Sequence, residues 1–183
     1  QERNPFLGCR SIRFCFENPM ILNVQLKAIL KASNNASLKI LFPMISTLEE
    51  LKWALDQLKI AKQELNSAGI SYAENIPVGI MIEVPSAAII AHELAPLVDF
   101  FSIGTNDLVQ YTVAVDRDNK RVSRIYSPSN PAVLQLIKMT IAAANANNIP
   151  VSLCGEIAGD PIYIPLLMGL GLTEFSLNLH SIP

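Results

Sequence analysis

Five short apolar runs alternate with segments of helical periodicity along this chain of 183 residues. The runs are Leu38–Ile45, Ile76–Val84, Asp99–Gly104, Val151–Cys154 and Thr173–Leu177. Each is mostly apolar without strict alternation, as expected of strands covered on both faces. Ahead of the first run, Gly8 precedes an Arg10–Phe16 segment and Asn18-Pro19 supplies a helix start. Leu22, Leu26, Ile29 and Leu30 then recur at helical spacing until Ser33-Asn34-Asn35 breaks the pattern. The clearest helix opens at Ser46-Thr47-Leu48-Glu49-Glu50, where Thr47 and Glu50 have capping-box spacing. Leu48, Leu51, Leu55, Leu58 and Leu65 form its apolar stripe, and Gly69 closes it. Pro85 starts another helix to about Leu94. Asn130-Pro131 predicts one with Leu134, Ile137, Ile141 and Ala144 on one face, and Pro161–Met168 a short one. Between Gly104 and Asn130 the pattern gives a second apolar run and a longer loop.

Strands and helices in strict alternation predict an α/β architecture with a parallel sheet. The rhythm suits a (β/α)8 (TIM) barrel or a doubly wound sheet. Five strands are too few for a closed barrel, which takes about 250 residues. The chain starts without Met in loop-like sequence and stops at Ser181-Ile182-Pro183, directly after a strand candidate. The expectation is therefore a partial TIM barrel, about the last five βα units, forming one incomplete domain over 1–183.

Composition narrows the function classes. Half the residues are hydrophobic and the net charge is -2, which argues against nucleic acid or an anionic membrane as partner. No apolar run approaches the roughly 20 residues needed to cross a bilayer. Cys9, Cys15 and Cys154 show neither pairing nor C-x-x-C spacing, so a cytoplasmic, reducing environment is expected.

The chemistry gathers where strand candidates end. Glu83 closes the second, Asn106 and Asp107 follow the third, and Cys154-Gly155-Glu156 closes the fourth. In a parallel barrel these ends share one face, where active sites are built. Glu83 in a buried run needs a cation, which a structural ion pair would equally supply. Two carboxylates converging at one face suit Mg2+, a hard ion that keeps positions for water and substrate oxygens. Asn106 could simply cap a turn. Asp116-Arg117-Asp118 reads first as a solvated loop ion pair, and Cys154 as an ordinary buried thiol unless Gly155 turns it outward. His92, His180 and Trp53 read as structural.

The motifs at these positions, taken together, resemble the phosphoenolpyruvate-binding barrel of the phosphoenolpyruvate–protein phosphotransferases (enzyme I of the bacterial sugar phosphotransferase system). They are N-P-F-L-G-C-R-S-I-R (4–13), I-L-F-P-M-I (40–45), G-I-M-I-E-V-P-S-A-A (79–88), F-F-S-I-G-T-N-D-L-V-Q-Y-T-V-A-V-D-R-D-N (100–119), L-C-G-E-I-A-G-D (153–160) and G-L-T-E-F-S (171–176). They span nearly the whole chain in the family's order. The resemblance implies Glu83 and Asp107 as Mg2+ ligands, and Arg10 and Arg117 as phosphate contacts. It further implies Asn106 and the backbone around Asp107 as substrate contacts, and Cys154 as the acid–base thiol at the methylene carbon. That reading displaces the solvated-loop reading of Arg117.

It also implies phosphoenolpyruvate and pyruvate as ligands and a homodimer. A phosphocarrier histidine protein would be met through an N-terminal domain, with the phospho-accepting histidine, that this sequence does not contain. Cys9 departs from the family, standing where many relatives carry an aromatic. The alternatives are the barrel of pyruvate phosphate dikinase or phosphoenolpyruvate synthase, a metal-dependent aldolase or lyase of pyruvate-like enolates, or a non-enzymatic dimerisation module. The aldolase has no obvious need for both Arg117 and Cys154.

Overall fold

The computed structural model describes residues 3–182. Its sheet has five strands: β1 (Ile40–Phe42), β2 (Val78–Ile82), β3 (Phe100–Gly104), β4 (Val151–Cys154) and β5 (Glu174–Ser176). All neighbours are parallel and the spatial order is the sequence order, β1-β2-β3-β4-β5. A doubly wound sheet reverses its strand order at a switch point, whereas a barrel adds each strand beside the last. The order here has no reversal, and β1 and β5 each have one strand neighbour. The sheet is an open arc of a (β/α) barrel.

The helices are α1 (Ile12–Glu17), α2 (Pro19–Ala32), α3 (Leu48–Ser67), α4 (Pro85–Ile89), α5 (Ala91–Leu94), α6 (Thr105–Val113), α7 (Pro131–Ala146) and α8 (Ile164–Gly169). Thr47 and Glu50 form the expected capping box at the start of α3, worth about 1 kcal/mol. Leu51, Ala54, Leu58, Ala61 and Leu65 form its buried face, while Leu48 and Leu55 flank it half-buried. Asn130 caps α7 by accepting the Ala132 N–H. Strand residues alternate between two faces. Ile80, Ile82, Phe101, Ile103 and Leu153 fill the core, while Met81, Ser102, Gly104, Ser152 and Cys154 occupy the opposite face.

Three expectations change. The segment after Gly104 is not a second run followed at once by loop: Thr105–Val113 is α6, packed between the sheet and α7. The helix after Pro85 breaks at Ile90 into α4 and α5. All strands but β4 are also shorter than the apolar runs, β1 covering three residues of Leu38–Ile45. Pro43 can donate no ladder hydrogen bond, and Met44 turns into the left-handed region at φ 58°. Trp53 stacks on Phe16 with ring centroids 4.0 Å apart, a packing role. Among the described residues no helix is long and apolar enough to cross a membrane.

Candidate functional site

Helix α6 gathers the site. It starts directly at the end of β3, so its first turn projects from the C-terminal end of the sheet. Thr105 Oγ1 donates to the Cys154 carbonyl at 2.9 Å, tying the ends of β3 and β4 together. Asn106 Oδ1 accepts the Glu156 N–H at 3.2 Å, and the Asn106 carbonyl accepts the Tyr126 hydroxyl at 3.0 Å. Gly155 makes this junction possible. Its φ is +115°, and a Cβ there would collide with Thr105 Oγ1.

Asp107 is 7% exposed and meets both candidate arginines. Arg10 Nη2 donates to Asp107 Oδ2 at 3.2 Å, and Arg117 Nη1 lies 3.9 Å from Asp107 Oδ1. Arg117 thus reaches into the site instead of pairing within its own loop, where Asp116 Oδ1 accepts the Asp118 N–H. Asp107 Oδ1 has no hydrogen-bond partner although it is buried.

Glu83 lies just beyond β2 and is 6% exposed. Gly104 clears the way, since a Cβ there would stand 3.0 Å from Glu83 Cβ and 2.8 Å from Met81 Sδ. Glu83 Oε1 accepts the Met44 N–H at 2.7 Å. Burial pushes the Glu83 carboxyl up to about 7; the Met44 N–H pulls against this and the Asp107 charge adds to it. Glu83, its carboxyl pKa raised by burial, and Asp107, with one oxygen that accepts no hydrogen bond, bring two carboxylates to the same place. They fit a hard divalent ion that completes its shell with water and substrate oxygens. No group of three His, Cys, Asp or Glu side chains gathers as a metal-binding set among the described residues.

Cys154 is half-buried. Ser102 Oγ donates to its sulfur at 3.8 Å, and the thiol faces the Ile103 carbonyl at 3.5 Å. Burial raises the thiol pKa and the Glu83 charge adds to it, while the Ser102 hydroxyl works the other way. The thiol therefore stays protonated around neutral pH.

All the candidate residues thus come to one end of the sheet: Glu83, Asp107, Arg10, Arg117 and Cys154 form one electrostatic group, with Asn106 at its β4 side. His92 and His180 are exposed and lie outside it. Two cavities flank the group. One of about 430 Å3 touches Phe6, Met44, Gln110 and Tyr111; the other, about 290 Å3, is polar and touches Asn106, Glu156, Ser176 and Asn178.

The sequence reading passed over Gln110 and Tyr111. Gln110 Oε1 accepts the Arg117 N–H at 3.1 Å, and the Tyr111 hydroxyl accepts from Arg10 Nη1 at 3.1 Å. Both follow from placing α6, because Asp107, Gln110 and Tyr111 stand at i, i+3 and i+4 on one helix face. Backbone strain clusters here too. Of the non-glycine residues with positive φ, Ser11 follows Arg10, Met44 holds Glu83, and Ala114 ends α6 ahead of the Arg117 loop.

The sequence matches a known family over residues 1–183, described as PEP-utilising enzyme, PEP-binding domain. Phosphoenolpyruvate-protein phosphotransferases from Listeria monocytogenes and Bacillus subtilis are 52% and 53% identical to it over 182 residues. Those alignments cover 100% of this chain and 32% of each relative, so the chain spans about a third of their length. A solved citrate lyase from Burkholderia xenovorans LB400 is similar in fold, with a TM-score of 0.63 at 21% identity over 83% of this chain and 48% of that one. A likeness at that identity speaks to the open arc of alternating strands and helices alone. By a match over its whole length and by relatives identical at half its positions, the chain belongs to the PEP-binding domain family of the PEP-utilising enzymes.

Proposed function

We propose that this chain is the phosphoenolpyruvate- and Mg2+-binding portion of a phosphoenolpyruvate–protein phosphotransferase. The whole protein would move the phosphoryl group from phosphoenolpyruvate to a protein histidine and release pyruvate, in the cytoplasm, for the sugar phosphotransferase system. The observation that carries this is the convergence on Asp107 of two arginines far apart in the sequence, Arg10 and Arg117, beside the Glu83 carboxylate. Two guanidinium groups and a carboxylate pair with an orphaned oxygen suit a substrate bearing a phosphate and a carboxylate.

In this reading Arg10 and Arg117 bind and orient the phosphate, so the P–O bond to the enol oxygen can break in line with an acceptor nitrogen. Asn106 adds a polar contact to the substrate. Glu83 and Asp107 would hold Mg2+, which supplies Lewis-acid stabilisation of negative charge on the departing oxygen. The enolate left behind must gain a proton at its methylene carbon. Cys154 donates its S–H proton there, giving the pyruvate methyl group, and the thiolate is reprotonated from solvent. The accepting histidine belongs to another part of the polypeptide, which then passes the phosphoryl group to a small histidine-phosphorylated carrier protein. A homodimer completes the proposal.

The test is to incubate the full-length polypeptide carrying this chain with radiolabelled phosphoenolpyruvate and Mg2+. Acid-labile phosphate on the protein, with one pyruvate released per phosphate, is the expected result. Pyruvate release without protein-bound phosphate would overturn it.

A further inference from the structure

Tyr111 stands one helical turn beyond Asp107 on α6, so the two side chains leave the same face of the helix. Both end on Arg10. Asp107 Oδ2 takes Nη2 at 3.2 Å, and the Tyr111 hydroxyl oxygen takes Nη1 at 3.1 Å. The direction of the second bond is fixed by the proton count. A phenol has one O–H, and Tyr111 donates it to the Phe6 carbonyl at 2.6 Å, leaving only lone pairs for the guanidinium. Burial, the largest influence on this phenol, keeps it protonated. The Phe6 ring completes the cradle, with the guanidinium carbon 5.6 Å from its centroid.

Arg10 needs such a cradle. It lies in no regular element, between the 3-10 turn Pro5–Leu7 and α1, and is followed by Ser11 at φ 55°. A guanidinium on a loop would otherwise spread over many rotamers, and ordering it on substrate binding would cost affinity. Asp107 alone fixes one nitrogen; two contacts at two nitrogens fix the plane of the fork. From this geometry we propose that Tyr111 is a positioning residue that sets the Arg10 guanidinium for an anionic oxygen group, and that its bond to Phe6 ties the N-terminal loop to the same atom. The inference rests on the assignment of Arg10 to the substrate phosphate.

A double-mutant cycle on the full-length polypeptide tests it, with Tyr111→Phe, Arg10→Ala and both together. Tyr111→Phe removes one oxygen and leaves the ring packing. It is expected to raise the KM for phosphoenolpyruvate about tenfold, the effect of one lost hydrogen bond to a charged group, with kcat within about twofold. Arg10→Ala is expected to raise KM further, and the double variant to match Arg10→Ala alone, because Tyr111 acts only through Arg10. A wild-type KM in Tyr111→Phe, or a Tyr111→Phe effect that multiplies onto that of Arg10→Ala, overturns the role of Tyr111. An unchanged KM in Arg10→Ala removes the phosphate assignment itself, a separate outcome.

Discussion

Gln110 Oε1 accepts the backbone N–H of Arg117 at 3.1 Å, folding the loop after α6 back onto the helix that carries Asp107. Gln110 is 4% exposed and its Nε2 has no partner, so the side chain holds the loop at the cost of a buried, unsatisfied donor. Gln110→Leu removes both features at similar volume. Losing one hydrogen bond and relieving one orphan donor roughly offset, so stability should change by no more than about 1 kcal/mol. The freed loop should raise the KM for phosphoenolpyruvate by roughly three- to tenfold. Steady-state kinetics beside a thermal melt checks this, and an unchanged KM would mean that Arg117 needs no such anchor.

The buried carboxylate predicts a pH dependence with a definite sign. Glu83 is held up at about 7 by burial, against its ordinary 4.5. Between those values the folded form keeps a proton that the unfolded chain has released. Stability of the metal-free protein therefore falls as pH rises from about 4.5 to 7 and then levels, by an amount on the order of 3 kcal/mol. Glu83→Gln, neutral throughout, should lose this slope and melt above the wild type at pH 8 without metal. Adding Mg2+ at pH 8 should raise the wild-type Tm and leave the variant unmoved. Melts at pH 5 and pH 8 decide it, and a flat wild-type profile would contradict the assignment.

How the sequence carried this information differs between the sheet and the site. Parallel strands packed against helices write themselves as apolar runs, so Val151–Cys154 emerges residue for residue. Helix α6 does not. Its buried face mixes Thr105, Asp107 and Gln110 with Leu108 and Val109, so polar residues stand where an apolar stripe would mark a helix. Missing α6 hid Gln110 and Tyr111, whose contacts span seven residues in one case and 101 in the other. Glu83 and Asp107 stood out as candidates because each is a carboxylate at the end of an apolar run, although a structural ion pair would explain Glu83 equally well. Arg117 was not legible from spacing alone; its approach to Asp107 is a property of the Ala114 turn and the Gln110 anchor.

Asp107 carries two demands at once: an ion pair from Oδ2 to Arg10, and a looser one from Oδ1 to Arg117 that leaves that oxygen without a hydrogen bond. Asp107→Asn keeps the shape and removes the charge. Metal affinity should fall at least about tenfold, since a hard cation binds a neutral amide oxygen far less well than a carboxylate. Binding of phosphoenolpyruvate should lose its Mg2+ dependence. Calorimetric titration of Mg2+, with and without phosphoenolpyruvate, measures both, and a wild-type titration in the variant would remove Asp107 from the ligand set.

In the proposed function Cys154 acts on carbon and is not a metal ligand. Its sulfur is held between the Ser102 hydroxyl and the Ile103 carbonyl, on the face of the sheet that Gly104 leaves open toward Glu83. A thiol kept protonated by burial can give its proton to an enolate carbon and, in reverse, take one from the methyl group of pyruvate as thiolate. Cys154→Ala removes the proton carrier without touching either carboxylate. Exchange of the pyruvate methyl protons with deuterium, followed by NMR in the full-length polypeptide with Mg2+, should drop by at least about a hundredfold, the usual contribution of a positioned acid–base group. Mg2+ affinity should stay within about twofold, because the lost group is not a ligand. Cys154→Ser should rescue little, since a hydroxyl holds its proton far more tightly than a thiol. Wild-type exchange in Cys154→Ala would take the residue out of proton transfer, and a parallel loss of Mg2+ binding would make its role structural.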